Sequence, residues 1–361
     1  MRRLRNALLL TLLLTAVAGG VLYRISWHPP RQLAVAPVCQ GSAPSLVPGQ
    51  ALKVMTWNVQ YLAGKRYVFW YERPDAGAGT ERPTGADLAH GLDEVTRVVR
   101  EEAPDVLLLQ EVDNGARASG YQDQLALLHE RLADLFPCSA QAYDFKAAFV
   151  PRWHIMGSVG RTLVTFSRYR IERAERLQLP LPGNAFAQGF APRPALLSSY
   201  LNQADGSLFA VLNTQLGNYR DGDASQRNQL ITVLKRLDRL ESQGTPWVLG
   251  GDLNTLPLGQ YRRLEPTLQP RYSPDSDMHL LWDRYPMVPS NAQAGGSQRA
   301  HWLTYFANGS QSKGPDRTLD YFFHSPQVGK VDARVRQEDT LGISDHLPVI
   351  LRLMLPASAA R

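Results

Sequence analysis

The chain has 361 residues, 44% of them hydrophobic and 20% charged, with seven tryptophans, which excludes an intrinsically disordered protein. The formal charge of +6 includes Arg2, Arg3 and Arg5 of an apparent targeting segment, so that a processed chain would carry about +3. An excess of this size suits a phosphate-bearing substrate but is not that of a dedicated nucleic-acid-binding protein.

Residues 1–27 are predicted to be an N-terminal signal peptide or signal anchor. The three arginines precede an uncharged run of 17 residues, Ala7–Tyr23, which reaches the lower limit of about 17–25 residues for a membrane-spanning helix. Small residues ending at Ala18 are typical of a signal-peptide cleavage site. The apolar run continues past this point, which favours an uncleaved anchor. Both alternatives predict an extracytoplasmic location for the rest of the chain.

Residues 28–50 are rich in proline, alanine, serine and glycine and are predicted to be a linker. One folded domain is predicted over residues 51–356, followed by a short tail at 357–361. The chain has two cysteines, Cys39 and Cys138. In an oxidising compartment they could form a disulfide, although sequence alone cannot tell whether they lie close enough. Their spacing is not that of a metal site.

Strands and helices alternate along the domain. The first half is predicted to contain strand Leu52–Val59, helix Asp87–Glu102, strand Asp105–Glu111, helix Gln122–Leu135 and strand Arg161–Phe166. The second half is predicted to contain paired strands Leu196–Leu201 and Ser207–Leu212, helix Ala224–Ser242, and strands Trp247–Leu249, Arg317–Phe323, Val331–Arg336 and a last one after Ile343–Val349. Alternating elements with both hairpins and crossovers predict a layered α/β or α+β domain.

Two long stretches have no clear periodicity. The first, Tyr61–Gly85, contains Tyr67, Phe69, Trp70 and Tyr71, which could rim a substrate cleft or could pack the loop onto the domain. The second, Tyr261–Ser312, is predicted to be irregular.

Polar residues are concentrated at the ends of the predicted strands. The sequence Trp247–Asn254 reads as a short buried strand that runs into two glycines and then offers a carboxylate and an amide together. The full set is Asn58, Glu111, Gln215, Asp252, Asn254, Asp320, Asp345 and His346. Hard oxygen donors without cysteine suit Mg²⁺ or Mn²⁺ better than structural zinc. A divalent cation here would polarise a phosphoryl oxygen.

Each of these residues also has a purely structural interpretation. Asp252 could cap its own Gly-Gly turn, and Asn58 could be an ordinary strand-end asparagine. Asp320 could belong to a buried salt bridge, and His346 could be a packed core histidine. Glu111 directly follows an apolar strand and requires a partner or water in any case.

Five short motifs occur in a fixed order, each at a predicted strand end. They are Thr56-Trp57-Asn58, Gln110-Glu111, Gly250-Gly251-Asp252-Leu253-Asn254, Leu319-Asp320-Tyr321 and Ser344-Asp345-His346. In this order the chain resembles the endonuclease/exonuclease/phosphatase superfamily, which includes type I deoxyribonucleases, abasic-site endonucleases, neutral sphingomyelinases and inositol polyphosphate 5-phosphatases. The resemblance extends over about Leu52–Leu355. It implies an α+β fold, a four-layer α/β/β/α sandwich of two packed mixed β-sheets, and a Mg²⁺-dependent phosphohydrolase.

The resemblance also implies roles for the motif residues. Glu111 would be the main metal carboxylate, with Asn58 beside it and Asp345 either completing the metal shell or binding the metal through water. Asp252 would orient or deprotonate the attacking water, and Asn254 would hydrogen-bond the phosphate.

His346 would contact the phosphate, oriented by Asp320.

One position departs from the pattern: many members carry Asn-Thr-His-Leu where this chain has Gln215 as the third residue. Glutamine can donate a hydrogen bond but cannot transfer a proton, so a missing acid could cost about 10²–10⁴ in rate. Nearby Tyr219 could serve in its place. The alternative to an enzyme is a weak or inactive phospholigand-binding domain of the same fold.

The expected partner is a phosphate-ester substrate, with nucleic acid and phospholipid left open. The chain has no lysine- or arginine-rich run of the kind that follows a DNA backbone. A membrane contact is expected through the N-terminal segment if it is retained, and the protein is expected to be a monomer.

Overall fold

The structure, a computed structural model, describes residues 2–69, 81–184, 188–189, 191–218, 223–309 and 313–357. Its helices are α1 (Arg2–Ile25), α2 (Gly85–Glu102), α3 (Gln124–Leu132), α4 (Ser225–Ser242), α5 (His279–Trp282) and α6 (Asn291–Gly295). The first seven strands are β1 (Gln32–Val35), β2 (Val38–Cys39), β3 (Ala51–Asn58), β4 (Val106–Asp113), β5 (Cys138–Val150), β6 (Gly157–Ser167) and β7 (Ile171–Gln178). The others are β8 (Ala195–Asn202), β9 (Leu208–Gln215), β10 (Trp247–Asp252), β11 (Met287–Val288), β12 (Asp320–His324), β13 (Gly329–Val335) and β14 (Val349–Met354).

The strands form two seven-stranded sheets. One has the order β1-β7-β8-β9-β10-β12-β11 and the other β13-β14-β3-β4-β6-β5-β2. Each sheet has a parallel pair at its centre, β9 with β10 and β3 with β4, flanked by antiparallel neighbours. A parallel pair requires a crossover connection. The two strong helical patterns of the sequence supply it, because α2 joins β3 to β4 and α4 joins β9 to β10.

The layers follow from the three main apolar clusters. One cluster lies between the sheets and contains residues of both, such as Val54, Leu108, Val211 and Phe322. A second packs α4 on the outer face of its sheet, and a third packs α2 and α3 on the other sheet. The predicted four-layer sandwich of two mixed sheets with outer helices is therefore confirmed.

Helix ends agree closely with the sequence signals. Thr84 caps α2 in a reciprocal arrangement: its hydroxyl accepts from the Asp87 backbone N–H, and the Asp87 carboxylate accepts from the Thr84 N–H. Ala103 ends the helix in a left-handed conformation before Pro104. Helix α3 begins two residues later than predicted because Asp123 caps it, and it ends at Leu132 instead of Leu135.

The two glycines at the end of β10 are required by packing. A Cβ on Gly250 would lie 2.6 Å from the Phe322 ring and 2.8 Å from the Leu108 side chain, at the contact between the sheets. Gly251 has φ 152°, and a Cβ there would lie 1.9 Å from the Thr214 carbonyl oxygen on the parallel neighbour strand. Side-chain packing between the sheets therefore explains Gly250, and close backbone approach explains Gly251.

Several strands were not foreseen. Strand β7 contains two Glu-Arg pairs set between the single apolar residues Ile171, Ala174 and Leu177, a composition with high helix propensity that sheet pairing overrides. Strand β5 forms a long hairpin with β6. Within the stretch expected to be a linker, β1 and β2 pair with β7 and β5 at sheet edges. Short proline-flanked edge strands carry too little periodicity to be recognised in sequence.

Helix α1 projects from the body. It is long and apolar enough to cross a membrane, and its side chains are not buried against the rest of the chain that the structure describes. It leads directly into the domain: Ser26 forms a β-bridge with Ala147, and the Trp27 backbone N–H donates to the Lys146 carbonyl at 3.3 Å.

Cys39 and Cys138 lie opposite each other in the β2–β5 ladder and are joined as a disulfide that closes a separation of 99 residues. The bond ties a short edge strand to the long hairpin. In such an arrangement a disulfide stabilises mainly by restricting the unfolded chain.

We expect the Cys39→Ala/Cys138→Ala variant to lose about 2–5 kcal/mol of unfolding free energy, because the unfolded chain regains its loop entropy. Urea denaturation of the two proteins measures the difference. Dithiothreitol should lower the midpoint of the unmodified chain and leave that of the variant unchanged. Equal midpoints for both oxidised proteins would contradict a structural role for the bond.

Candidate active site

The site is built around Asp252, the last residue of β10, whose side chain is fully buried. Its Oδ1 accepts from the Asn254 backbone N–H at 2.9 Å. Side-chain amides of Asn58, Gln215 and Asn254 donate to Oδ2 at 3.3, 3.3 and 3.2 Å. A buried carboxylate needs such donors to offset the loss of water. Burial nevertheless raises the pKa of Asp252, and the neighbouring His346 opposes the shift.

His346 lies between two carboxylates. Its Nδ1 is 2.8 Å from Asp320 Oδ2, and its Nε2 is 3.7 Å from Asp252 Oδ2. Burial by itself would lower the pKa of His346, but Asp320 and Asp252 outweigh it and raise the pKa well above its usual value. The ring is therefore favoured as an imidazolium whose Nδ1–H donates to Asp320.

Glu111 has an unusual backbone. It has φ 57°, in the left-handed region, at a register shift between Leu109 and Val112 of β4. A non-glycine residue in this region costs on the order of 1–3 kcal/mol and persists only where its surroundings impose it. The bulge takes Glu111 out of the strand ladder, and its side chain lines the cleft. Its Oε1 accepts from Gln215 Nε2 at 2.7 Å and lies 3.8 Å from an Arg161 guanidinium nitrogen.

All eight residues selected from the sequence meet at one place. Six of them line a cleft of about 480 Å³: Glu111, Gln215, Asp252, Asn254, Asp345 and His346. Asn58 and Asp320 are buried and hydrogen-bond to Asp252 and His346 respectively. The register explains the convergence on one sheet, because Asp252 is paired with Gln215 on β9 and with Asp320 on β12.

The cleft also contains arginines that sequence reasoning missed. Arg161 on β6 has its guanidinium 2.8 Å from Asp144 Oδ2. Arg317 is buried, pairs with Asp316 at 2.6 Å and donates to the Tyr272 hydroxyl at 3.1 Å. Isolated arginines carry no recognisable spacing. The position of Arg317 directly before the Thr318-Leu319-Asp320 segment was the available signal.

Aromatic side chains form much of the remaining wall. The Tyr305 ring packs edge-on against His346 with centroids 4.9 Å apart, and the Arg317 guanidinium lies 4.6 Å from the Tyr305 centroid. Of the aromatic loop, Phe69 lines the cleft, and the buried Tyr67 packs against Phe69 at 4.8 Å.

One interpretation of the loop, lining the cleft, therefore applies to Phe69, and the other, packing onto the domain, applies to the buried Tyr67. Three residues considered in the sequence, Trp70, Tyr71 and Tyr219, lie outside the described residues.

The donor set fits a hard cation. Glu111 and Asp345 offer carboxylate oxygens to the cleft, and Gln215 Oε1 is buried without a hydrogen-bond partner among the described residues. Ligand atoms of Asp252, Asp320 and His346 also lie within 4.8 Å of one another and could hold an ion. A cation bound there would compete with the hydrogen bond between His346 Nδ1 and Asp320 Oδ2. The Glu111 side therefore fits better.

The chain is similar to known proteins in sequence and in fold. A model of the Endonuclease/Exonuclease/phosphatase family matches residues 55–346. Among solved structures, an endonuclease/exonuclease/phosphatase from Beutenbergia cavernae DSM 12333 is similar at 25% identity and TM-score 0.59, over 86% of this chain and 74% of that one. No curated protein sequence matches the chain significantly.

Two further structures share the fold at lower identity. The human Nocturnin catalytic domain is 17% identical with TM-score 0.50, over 89% of this chain and 97% of that one. Truncated Caenorhabditis elegans TDP2 is 17% identical with TM-score 0.51, over 85% of this chain and 99% of that one. At this identity the likeness concerns the fold alone.

We expect Asp320→Asn to lower the pKa of His346, because the substitution removes the carboxylate that stabilises the imidazolium. Histidine-selective NMR titration of the metal-free protein measures this pKa directly. Asp332→Asn, a change on the exposed strand β13, serves as the matched control and should leave His346 unaffected. An unchanged His346 titration in Asp320→Asn would contradict the pairing.

Proposed function

The chain belongs to the endonuclease/exonuclease/phosphatase family, and from this premise we propose that it is a divalent-metal-dependent hydrolase that cleaves a phosphodiester by in-line attack of water. The observation that carries the proposal is the arrangement around Asp252: a buried carboxylate held by three side-chain amides, 3.7 Å from an imidazole that a second carboxylate orients. Members of this family are usually hydrolases of phosphate esters. The comparisons lend no support to an inactive binding domain.

Glu111 would hold the cation, Mg²⁺ or Mn²⁺, with Asn58 beside it and Asp345 completing the shell. When bound, the ion would polarise a phosphoryl oxygen and offset the charge that develops on the leaving oxygen. The strained backbone of Glu111 supports this role, because strain of this kind is concentrated at functional sites. Gln215 steadies Glu111 by donating to its Oε1.

Asp252 would take a proton from the attacking water through Oδ2. The water oxygen then forms the new bond to phosphorus while the bond from phosphorus to the leaving oxygen breaks. Burial raises the pKa of Asp252, and a general base works best when its pKa is close to the working pH. The amides of Asn58 and Gln215 keep Oδ2 pointed into the cleft.

His346 and Asn254 would bind the phosphate. As an imidazolium, His346 can donate Nε2–H to a phosphoryl oxygen while Nδ1–H stays on Asp320, which positions the ring. Asn254 has φ 48°, and its amide donates to the Leu216 carbonyl at 2.9 Å and to Asp252 Oδ2 at 3.2 Å; the longer of these two bonds would pass to the phosphate. Arg161, Arg271 and Arg317 also line the cleft and favour an anionic substrate.

Gln215 cannot protonate a leaving alkoxide. Its amide instead donates to Glu111 and Asp252, so in this chain the position organises the two carboxylates. With no acid at this position, the charge on the leaving oxygen would be offset by the bound cation.

The phosphodiester could belong to a nucleic acid or to a phospholipid head group. A Danio rerio TDP2 of the same fold has been solved with a single-stranded DNA product, and the Nocturnin domain with a sulfate anion. Both ligands present tetrahedral oxyanions. The cleft here combines arginines with aromatic walls, which suits a phosphodiester with bulky substituents.

We also propose that α1 remains on the protein as a membrane anchor and that the domain lies outside the cytoplasm as a monomer. The exposed apolar surface of α1 and the disulfide between Cys39 and Cys138 support this location.

Turnover of bis(p-nitrophenyl) phosphate should be abolished by EDTA and restored by Mg²⁺ or Mn²⁺. Asp252→Asn and His346→Ala should each reduce it by about 10²–10⁴ or more, because each removes a group from the transition state. Asp332→Asn on β13 is the control and should retain full activity. Full activity in both site variants, with folding verified by circular dichroism, would refute the assignment.

Membrane fractionation tests the anchor. The expressed chain should stay in the membrane pellet after alkaline carbonate extraction, because a spanning helix resists it, and its N-terminal residues should be retained. Recovery in the soluble fraction with a new N-terminus at Gly19 would show instead that the segment is a cleaved signal peptide.

A further inference from the structure

The hairpin of β5 and β6 ends in an exposed apolar tip. Phe149, Trp153 and Met156 are 39%, 78% and 42% exposed. Large apolar side chains clustered at one protruding tip are unusual on a soluble surface and indicate a contact. The hairpin lies at the opposite end of its sheet from β13, next to the edge strand β2.

The tip is also positively charged. Arg152 is exposed next to Trp153 in sequence, and Lys146 is exposed three residues before Phe149, with its ammonium 4.3 Å from the Tyr143 ring centroid. The sequence has no acidic residue between Asp144 and Glu172. Apolar side chains flanked by cations are the combination that inserts at an anionic lipid surface, where tryptophan favours the interface and basic residues favour the head groups.

The anchor helix ends beside this hairpin. The β-bridge of Ser26 with Ala147 and the hydrogen bond from Trp27 N–H to Lys146 place the end of α1 on β5, three residues before Val150. The Trp27 ring packs against Tyr143 at 5.9 Å. Because no flexible connection separates α1 from β5, a membrane that contains α1 has the hairpin at its surface.

The segment that contacts the end of α1 also reaches the active-site cleft. His28 Nε2 lies 3.0 Å from the Gly189 carbonyl oxygen, and Pro192 and Pro194 of the segment that follows line the cleft. Arg176 connects the end of α1 with this segment. Its guanidinium lies 4.8 Å from the Trp27 ring centroid and donates to the Arg193 carbonyl at 2.7 Å. The tip itself is held by Arg82, which donates to the Ile155 carbonyl at 2.8 Å.

We propose that the β5–β6 tip, with Phe149, Trp153, Met156, Lys146 and Arg152, is a second membrane contact that inserts into the anionic head-group layer of the bilayer anchored by α1. The inference rests on the proposed retention of α1. It implies that the cleft opens beside the membrane surface, where a phosphodiester carried by a lipid or bound to the head groups reaches it directly.

The test uses the full chain reconstituted in vesicles of phosphatidylcholine and phosphatidylglycerol. Both native cysteines are in the disulfide, so a Met156→Cys variant carries a single reactive thiol for the environment-sensitive dye NBD. Val331→Cys is the matched control: Val331 is 50% exposed on β13, at the other edge of the same sheet. Doxyl lipids added to the vesicles quench a dye that lies in the head-group region.

Quenching at position 156 should be several-fold stronger than at 331, with a blue-shifted emission. Adding Phe149→Ser and Trp153→Ser should remove most of it, and vesicles of phosphatidylcholine alone should weaken it. Equal, water-like emission at both positions would overturn the proposal, as would quenching that survives the two serine substitutions. Equal quenching in both lipid mixtures would overturn the choice of an anionic surface.

Hydrolysis of bis(p-nitrophenyl) phosphate should be unchanged in the serine variant, since neither residue lies in the cleft. This readout separates the two proposals. A chain that never hydrolyses the ester would contradict the proposed function, whereas the dye at position 156 reports membrane contact with or without turnover.

Discussion

The register of three adjacent strands determines the site. Gln215 on β9, Asp252 on β10 and Asp320 on β12 occupy one row across the sheet. Parallel pairing of β9 with β10 requires the α4 crossover, and Gly251 allows the two backbones to approach at this row. A slip of one residue would turn these side chains to the opposite face. The positions of the reactive side chains in the cleft therefore depend on how the buried strands pair.

Burying this row of polar side chains costs free energy unless each one has its partner, so the row favours one specific arrangement. Charges removed from water must be paired or hydrogen-bonded, and an unpaired one costs several kcal/mol. Asp252 is satisfied by amides, and His346 by carboxylates on two sides. Asp320 and Asp252 raise the pKa of His346, and the amide donors partly compensate Asp252 for its burial. The bulge at Glu111 adds a third carboxylate from the other sheet, so that both sheets contribute to one cleft.

Much of this could be predicted from the sequence, because the motif residues stand at the ends of apolar strands. Gln215 and Asp252 end β9 and β10, whereas Asp320 begins β12. The central strands and helices were found within a few residues, since their apolar periodicity is strong. Strand β7 was missed because its two Glu-Arg pairs favour a helix locally, and pairing with β1 and β8 makes it a strand. Arg161 and Arg317 were missed because their importance comes from where the fold places them, which no local spacing reveals.

The central claim is that Glu111 and its neighbours hold a hard cation against the phosphoryl group that Asp252 and His346 serve. Anomalous diffraction from crystals soaked in Mn²⁺ tests it most directly. We expect a strong anomalous peak bonded to the Glu111 carboxylate and within the cleft. A peak between Asp252 and Asp320, or an anomalous map with density only outside the cleft, would contradict it.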